Sequence, residues 1–190
     1  MLWLNFLHLH QPPTAELGKV EEAVRKCYQG LITTLEENED LNFTINITGS
    51  LLRKWEELGY GELIDRLAAL VNKGQIEITG TAAYHPLLPL IPIKEVETQI
   101  KENTEILKEY LGDNVECRGF FLPEMAYSGE VAQKVKQLGF EWIIVDELSY
   151  SGNFQELPCP GGVYRDKNSD LLVLFRSRER SSDYVPRLVH

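Results

Sequence analysis

Strand-like and helix-like segments alternate along these 190 residues, and that order predicts an α/β fold with a parallel sheet covered by helices. Right-handed crossovers then leave a barrel or a doubly wound sheet as the candidates. The polar residues His8, His10, Glu77, Glu124 and Asp146 fall at or just past the ends of different predicted strands, where either architecture assembles its site. A ring of such residues favours the barrel. No G-x-G-x-x-G follows the first strand and no P-loop is present, so the nucleotide-binding form of the doubly wound sheet loses its best support.

The elements follow in order. Residues 2 to 9 form a short apolar run that ends in His8, His10, Gln11 and Pro12-Pro13, a strand stopped where the backbone cannot keep pairing. Val20, Ala23, Val24, Cys27, Leu31 and Leu35 recur mostly at three and four, which predicts an amphipathic helix. Leu41, Phe43, Ile45 and Ile47 alternate with polar residues as a second strand, and Thr48-Gly49-Ser50 supplies a turn and an N-cap. Helices are predicted over 51–58 and 62–71, separated by Gly59-Tyr60-Gly61. Residues 74–79 form a third strand leading into the Pro-rich loop 81–93, whose length suggests function rather than mere connection. Next come a long helix over 94–111, a fourth strand over 119–122, and a helix over 128–138 capped by Ser128 and stopped by Gly139. Residues 142–145 make a fifth strand, and 163–165 with 171–175 a hairpin or further strands. At this length residues 1–190 are expected to form a single domain.

Composition limits the partners. Hydrophobic residues at 43% and charged residues at 25% are ordinary for a globular protein. A net charge of -10 repels phosphate backbones and anionic lipid, so neither nucleic acid nor a membrane is expected as a partner. Arg176, Arg178 and Arg180 cluster, but Glu179 and Asp183 interleave them, which fits ion pairing better than a nucleic-acid footprint. Cys27, Cys117 and Cys159 are odd in number and widely spaced, indicating reduced thiols rather than disulfides or a zinc finger. The opening apolar run lacks the basic region and cleavage site of a secretory signal, which leaves the cytoplasm as the expected compartment.

Among residues able to do chemistry, Glu124 follows FFL directly and is held by Pro123, so a carboxylate is presented at a strand end rather than on a mobile loop. That rigidity suits a nucleophile, and Phe120, Phe121 and Tyr127 would surround it with sugar-stacking surface. The plainer reading is a cap for the region at Ser128 or a surface ion pair. Glu77 lies between Ile76 and Ile78 and should point to the opposite face, toward a central site, unless the strand is an edge and the carboxylate is solvated. His8 and His10 are two apart on a strand and share a face, so with Asp146 they also fit a zinc-dependent hydrolase. Asp146 fits equally as a helix N-cap, and His8 as a packed core residue.

HLHQP at 8–12, GQIEITGTAAYHP at 74–86 and GFFLPE at 119–124 together resemble, in order and separation, the first three motif regions of glycoside hydrolase family 57, which includes α-amylases, 4-α-glucanotransferases and amylopullulanases. The resemblance implies a (β/α)7 barrel of the glycoside hydrolase and deacetylase kind, no metal or other cofactor, and double displacement on α-linked oligo- or polysaccharides with retention of configuration. By that resemblance Glu124 is the nucleophile, while His10, Glu77, His85, Gln11 and Phe121 line the sugar subsite. The FRSRERSSD stretch, residues 175–183, is similar to the segment before the family's fourth region, which carries the aspartate acting as general acid and base. The sequence stops at His190 before that motif. A retaining glycosidase uses two carboxyl groups about 5–5.5 Å apart, so the expectation is the N-terminal portion of the catalytic barrel. On that view the barrel is incomplete, weakly active or inactive by itself, and able to self-associate through its open edge. A metal-dependent deacetylase or amidohydrolase, and a non-catalytic carbohydrate-binding homologue, stand as the alternatives.

Overall fold

The computed structural model describes residues 4–151, 156, 158–159, 161–179 and 181. Expectations that fall on residues 1–3, Arg180 and 182–190 lie outside the described residues. Strands β1 (Phe6–Leu9), β2 (Phe43–Ile47) and β3 (Ile76–Thr79) pair in parallel, in that order. A second group has the order β4 (Gly119–Phe121), β5 (Trp142–Asp146), β7 (Leu172–Arg176) and β6 (Val163–Arg165). All of its pairs are parallel except the β6–β7 hairpin. The two groups meet at a bridge between Gly80 and Phe120, where Gly80 N–H donates to Gly119 O at 2.9 Å and Phe121 N–H to Gly80 O at 2.9 Å. Strand order alone does not separate a barrel from an open sheet; ring contacts do. Phe6 on β1 stacks on Phe121 on β4 with centroids 5.3 Å apart. Three strand spacings of a flat sheet would hold them roughly 14 Å apart. The sheet therefore curls as an incomplete (β/α) barrel, and among the described residues β1 pairs only with β2.

Side-chain alternation sorts the two faces. Leu9, Ile45, Ile47, Ile76 and Ile78 point outward into one cluster with the helices α1 (Leu17–Ala23), α2 (Gln29–Glu37), α3 (Gly49–Glu57) and α4 (Gly61–Asn72). Phe120, Ile143, Val145 and Val173 point outward into a second cluster with α5 (Ile93–Leu111) and α6 (Gly129–Gln137). Register then places Phe6 beside Thr44 and Glu77, and His8 beside Asn46 and Thr79, on the inner face.

Two local features depart from the expected pattern. The residues buried along the first helical stretch are Val20, Val24, Tyr28, Ile32 and Leu35, while Cys27 is exposed and Leu31 half-buried. Three successive steps of four would rotate an α-helical stripe by about 40° each. A π-helical turn at Val24–Tyr28, between α1 and α2, absorbs that drift and turns Tyr28 inward. At the start of α3, Thr48 occupies the N-cap position but its side chain caps no backbone N–H; its Oγ1 accepts from the Ser50 hydroxyl at 3.3 Å. The cap comes instead from α5, where fully buried Asn103 accepts from Gly49 N–H at 2.8 Å through its Oδ1. Asn103→Ala should therefore lower unfolding stability by about 1–3 kcal/mol, because a buried N–H loses its partner. Urea denaturation checks this, and an unchanged midpoint would refute it.

Candidate active site

The inner face carries a short polar ladder. His8 Nδ1–H donates to Asn46 Oδ1 at 2.8 Å, and Asn46 Nδ2 donates to Thr79 Oγ1 at 3.0 Å. Asn46 and Thr79 are fully buried, so this bond satisfies groups that would otherwise be desolvated without compensation. Above them the histidines form a stack, with ring centroids 4.9 Å apart for His8 and His85, 4.1 Å for His10 and His85, and 5.5 Å for His8 and His10. Phe121 closes its lower side, 4.6 Å from the His8 ring. His85 comes from the Pro-rich loop after β3, and its Nε2–H donates to Glu124 Oε1 at 3.3 Å. The His85 side chain is 5% exposed and that of Glu124 70% exposed. The imidazole is thus the buried member of the pair, and the carboxylate faces open solvent rather than the aromatic enclosure expected for it.

Burial drives the electrostatics. His8 is pushed down to about 4, first by desolvation where its ring packs between His85 and Phe121 and then by nearby His85, against the opposing Asn46 bond, although the residue keeps an exposed edge. His10 lies below its ordinary value through burial and then His8. His85 is lowered by burial and then by His10, with Glu124 pulling the other way. All three rings are therefore neutral at pH 7. A carboxylate only accepts, so His85 is the Nε2–H tautomer and its buried Nδ1 keeps a bare lone pair. In an unfolded chain these histidines take up protons near pH 6.5, whereas the fold resists protonation. The folded state then binds fewer protons, and stability falls as pH drops from about 6.5 toward 4. Denaturation midpoints should decline between pH 7 and 5.5, above the carboxylate range, and His8→Gln should flatten the decline. A flat wild-type profile would contradict the neutral stack.

Backbone strain marks the same place. Among the described residues the non-glycine positions with positive φ are His85 (57°), Glu124 (54°), Met125 (53°) and Asp170 (63°). A left-handed conformation costs a side-chain-bearing residue on the order of 1–2 kcal/mol, and such residues persist where their surroundings dictate them, often at functional sites. Here the surroundings are visible. Tyr84, just before His85, donates its hydroxyl to Glu102 at 2.9 Å and accepts from Arg53 at 2.8 Å. Its backbone N–H meets Gln99 Oε1 at 3.2 Å. Glu124 follows Pro123, and Met125 N–H returns to Leu122 O at 2.7 Å.

The remaining expected residues are distributed unevenly. Gln11 donates to the Tyr28 hydroxyl at 3.4 Å, and that hydroxyl donates to His10 O at 3.3 Å, so the π-turn supports the end of β1. Glu77 is on the inner face but is the second residue of β3 rather than its end, roughly 6.5 Å along the strand below Thr79. It accepts from Thr44 Oγ1 at 3.1 Å. Of the aromatic residues near Glu124, only Phe121 faces inward; Phe120 packs edge-on against Phe140 in the outer cluster, and Tyr127 donates to Asp166. Asp146 accepts from Leu148 N–H at 3.0 Å and from Arg178 Nε at 3.0 Å. Burial would raise its pKa, but those two partners outweigh it and hold the carboxyl low. Asn46, Thr79 and Tyr28 were not singled out from sequence; an asparagine between Ile45 and Ile47 and a threonine after Ile78, on successive strands, were the available signal.

The structure does not assemble His8, His10 and Asp146; the nitrogens that lie together, within 4.8 Å, belong to His8, His10 and His85. Their rings are only 13–27° from parallel. Their in-plane lone pairs therefore run side by side, whereas zinc needs donors converging on a tetrahedron. The donor set does not fit a metal ion as arranged.

The comparisons agree with one another. An α-amylase from Pyrococcus furiosus is 30% identical over 96% of this chain and 28% of its own length. The crystal structure of a 4-alpha-glucanotransferase from Thermococcus litoralis superposes with a TM-score of 0.84 at 24% identity, covering 98% of this chain and 29% of that one. A family 4 carbohydrate esterase from Streptomyces lividans shares the fold at a TM-score of 0.52 and 12% identity, over 80% of this chain and 67% of its own. The chain thus spans less than a third of the length of the α-amylase and glucanotransferase relatives it matches. No helix among the described residues is long and apolar enough to cross a membrane. With residues 5–185 matching the model of glycosyl hydrolase family 57, the chain belongs to that family.

Proposed function

We propose that this chain carries the nucleophile half of a retaining enzyme acting on α-linked glucans, as a hydrolase or a glucanotransferase, with Glu124 attacking the anomeric carbon. The observation that carries the reading is the strained His85–Glu124 pair, with the His85 ring stacked against His8 and His10. A sugar laid against that stack would meet flat ring faces, His10 among them, with Gln11 beside them. His85 would hold the carboxylate without adding a positive charge that weakens its nucleophilicity. Residues 1–190 are read as one catalytic unit, the N-terminal portion of the barrel, and glucan is the partner. Among the described residues β1 pairs only with β2, and self-association is proposed through its other side. Cys27, Cys117 and Cys159 form no disulfide among the described residues, which supports a reducing, cytoplasmic setting.

The other carboxylates expected at the site are engaged elsewhere, Asp146 with Arg178 and Glu77 with Thr44. The test therefore uses a leaving group that needs no proton. Incubation with 5-fluoro-α-maltosyl fluoride should release one equivalent of fluoride per chain and add one fluorosugar to its mass. An unchanged mass with no fluoride released would reject the reading.

A further inference from the structure

The turn that carries Glu124 is held from two sides, and only one is local. Toward the N-terminus, Leu122 and Pro123 are buried and accept from Met125 N–H and Ala126 N–H at 2.7 and 3.1 Å. Toward the C-terminus, Ser128 is already committed to α6, accepting from Val131 N–H at 3.3 Å and Ala132 N–H at 2.9 Å. Between the strained Glu124–Met125 pair and that cap, Tyr127 reaches away from the loop and donates to Asp166 Oδ1 at 2.7 Å.

Asp166 is itself locked. Its Oδ2 accepts from Ser169 N–H at 2.7 Å and from Ser169 Oγ at 2.6 Å. Its backbone N–H and C=O close the β6–β7 turn with Leu171 and Asp170, both at 2.9 Å. Burial works to raise the Asp166 pKa, but Ser169 and Tyr127 overcome it and keep the carboxylate ionised; the Tyr127 hydroxyl is pushed up to about 12 by burial and by Asp166. The bond is thus charge-assisted at neutral pH and joins a rigid hairpin to a strained loop.

We propose that Asp166 is a positioning residue for Glu124, acting through Tyr127 to tie the left-handed turn to the β6–β7 hairpin. The hairpin adds an antiparallel strand to an otherwise parallel sheet, and its turn delivers the one carboxylate that Tyr127 meets. The proposal rests on the preceding reading only for what Glu124 does; the tether itself is independent of it.

Tyr127→Phe and Asp166→Asn test it. The protein has two methionines, Met1 and Met125, so methyl-labelled methionine gives a resolved signal from the turn. The His85 imidazole titration reports its contact with Glu124. Both variants should shift or broaden the Met125 methyl, lower the His85 midpoint as the carboxylate moves off, and slow single-turnover fluoride release roughly 10- to 100-fold with unchanged maltosaccharide affinity. Ile32→Val, which thins the other core cluster, should reduce stability without moving either NMR signal. Unchanged Met125 and His85 signals in Tyr127→Phe would overturn the proposal. Shifted signals in the variants, beside a wild-type chain that releases no fluoride, would leave the tether standing and reject Glu124 as nucleophile.

Discussion

Glu124→Ala should lose fluoride release from an activated α-maltosyl fluoride by roughly 10⁴-fold or more, the scale seen when an enzyme's nucleophile is removed. Azide should then restore turnover by entering the space vacated by the carboxylate. Azide attacks the anomeric carbon, the carbon–fluorine bond breaks, and fluoride leaves, so the product is the β-glycosyl azide with inverted configuration. The carboxylate is 70% exposed and bonded within the described residues only to His85, so its removal breaks that one bond, at a solvent-facing position where water can take the carboxylate's place beside His85 Nε2. A large rate loss with an unchanged melting temperature is therefore expected. Azide that fails to rescue, or a variant as active as wild type, would place the reacting group elsewhere.

The second large effect concerns the seam. Gly80 is where the two strand groups join, and a Cβ there would run into the Phe140 ring, whose Cζ would lie 2.6 Å away, with Phe120 Cδ2 at 3.3 Å. Phe140 cannot retreat, because it is buried edge-on against Phe120 in the outer cluster. Gly80→Ala should cost about 2–3 kcal/mol, a fall in Tm of roughly 5–10 °C. It should also slow the fluoride reaction, since β4 carries Phe121 and leads directly into Glu124. Calorimetry and fluoride release on one preparation check both; a variant with wild-type Tm would mean that the seam has slack.

Much of this architecture was legible beforehand, because period and punctuation are local. The alternation of Phe43, Ile45 and Ile47, the Ser128 cap and the stop at Gly139 correspond to β2, the start of α6 and a left-handed glycine at φ 98°. The π-turn was not legible, since Cys27 and Leu31 fit an α-helical stripe as well as Tyr28 and Ile32 do, and only packing against β1 and Trp55 separates them. The cap of α3 comes from Asn103, far along the chain, so no window around Thr48 contains it. At the site, Glu124 and His10 stood out because polar residues after apolar strands are conspicuous. The hydrogen-bonded ladder through Asn46, the backbone strain at His85 and the Tyr127–Asp166 tether depend on which strands become neighbours. Glu77 shows the limit of face-counting: alternation assigned its side of β3 but not its depth, and depth places it beside Thr44 below the histidine stack.

The central claim is that the sugar becomes attached to Glu124. Peptide mapping of the chain trapped with 5-fluoro-α-maltosyl fluoride tests it most directly: the account predicts the fluorosugar on the peptide containing Pro123-Glu124-Met125, with fragmentation assigning it to Glu124. A label on Glu77, Asp146 or a histidine would contradict it.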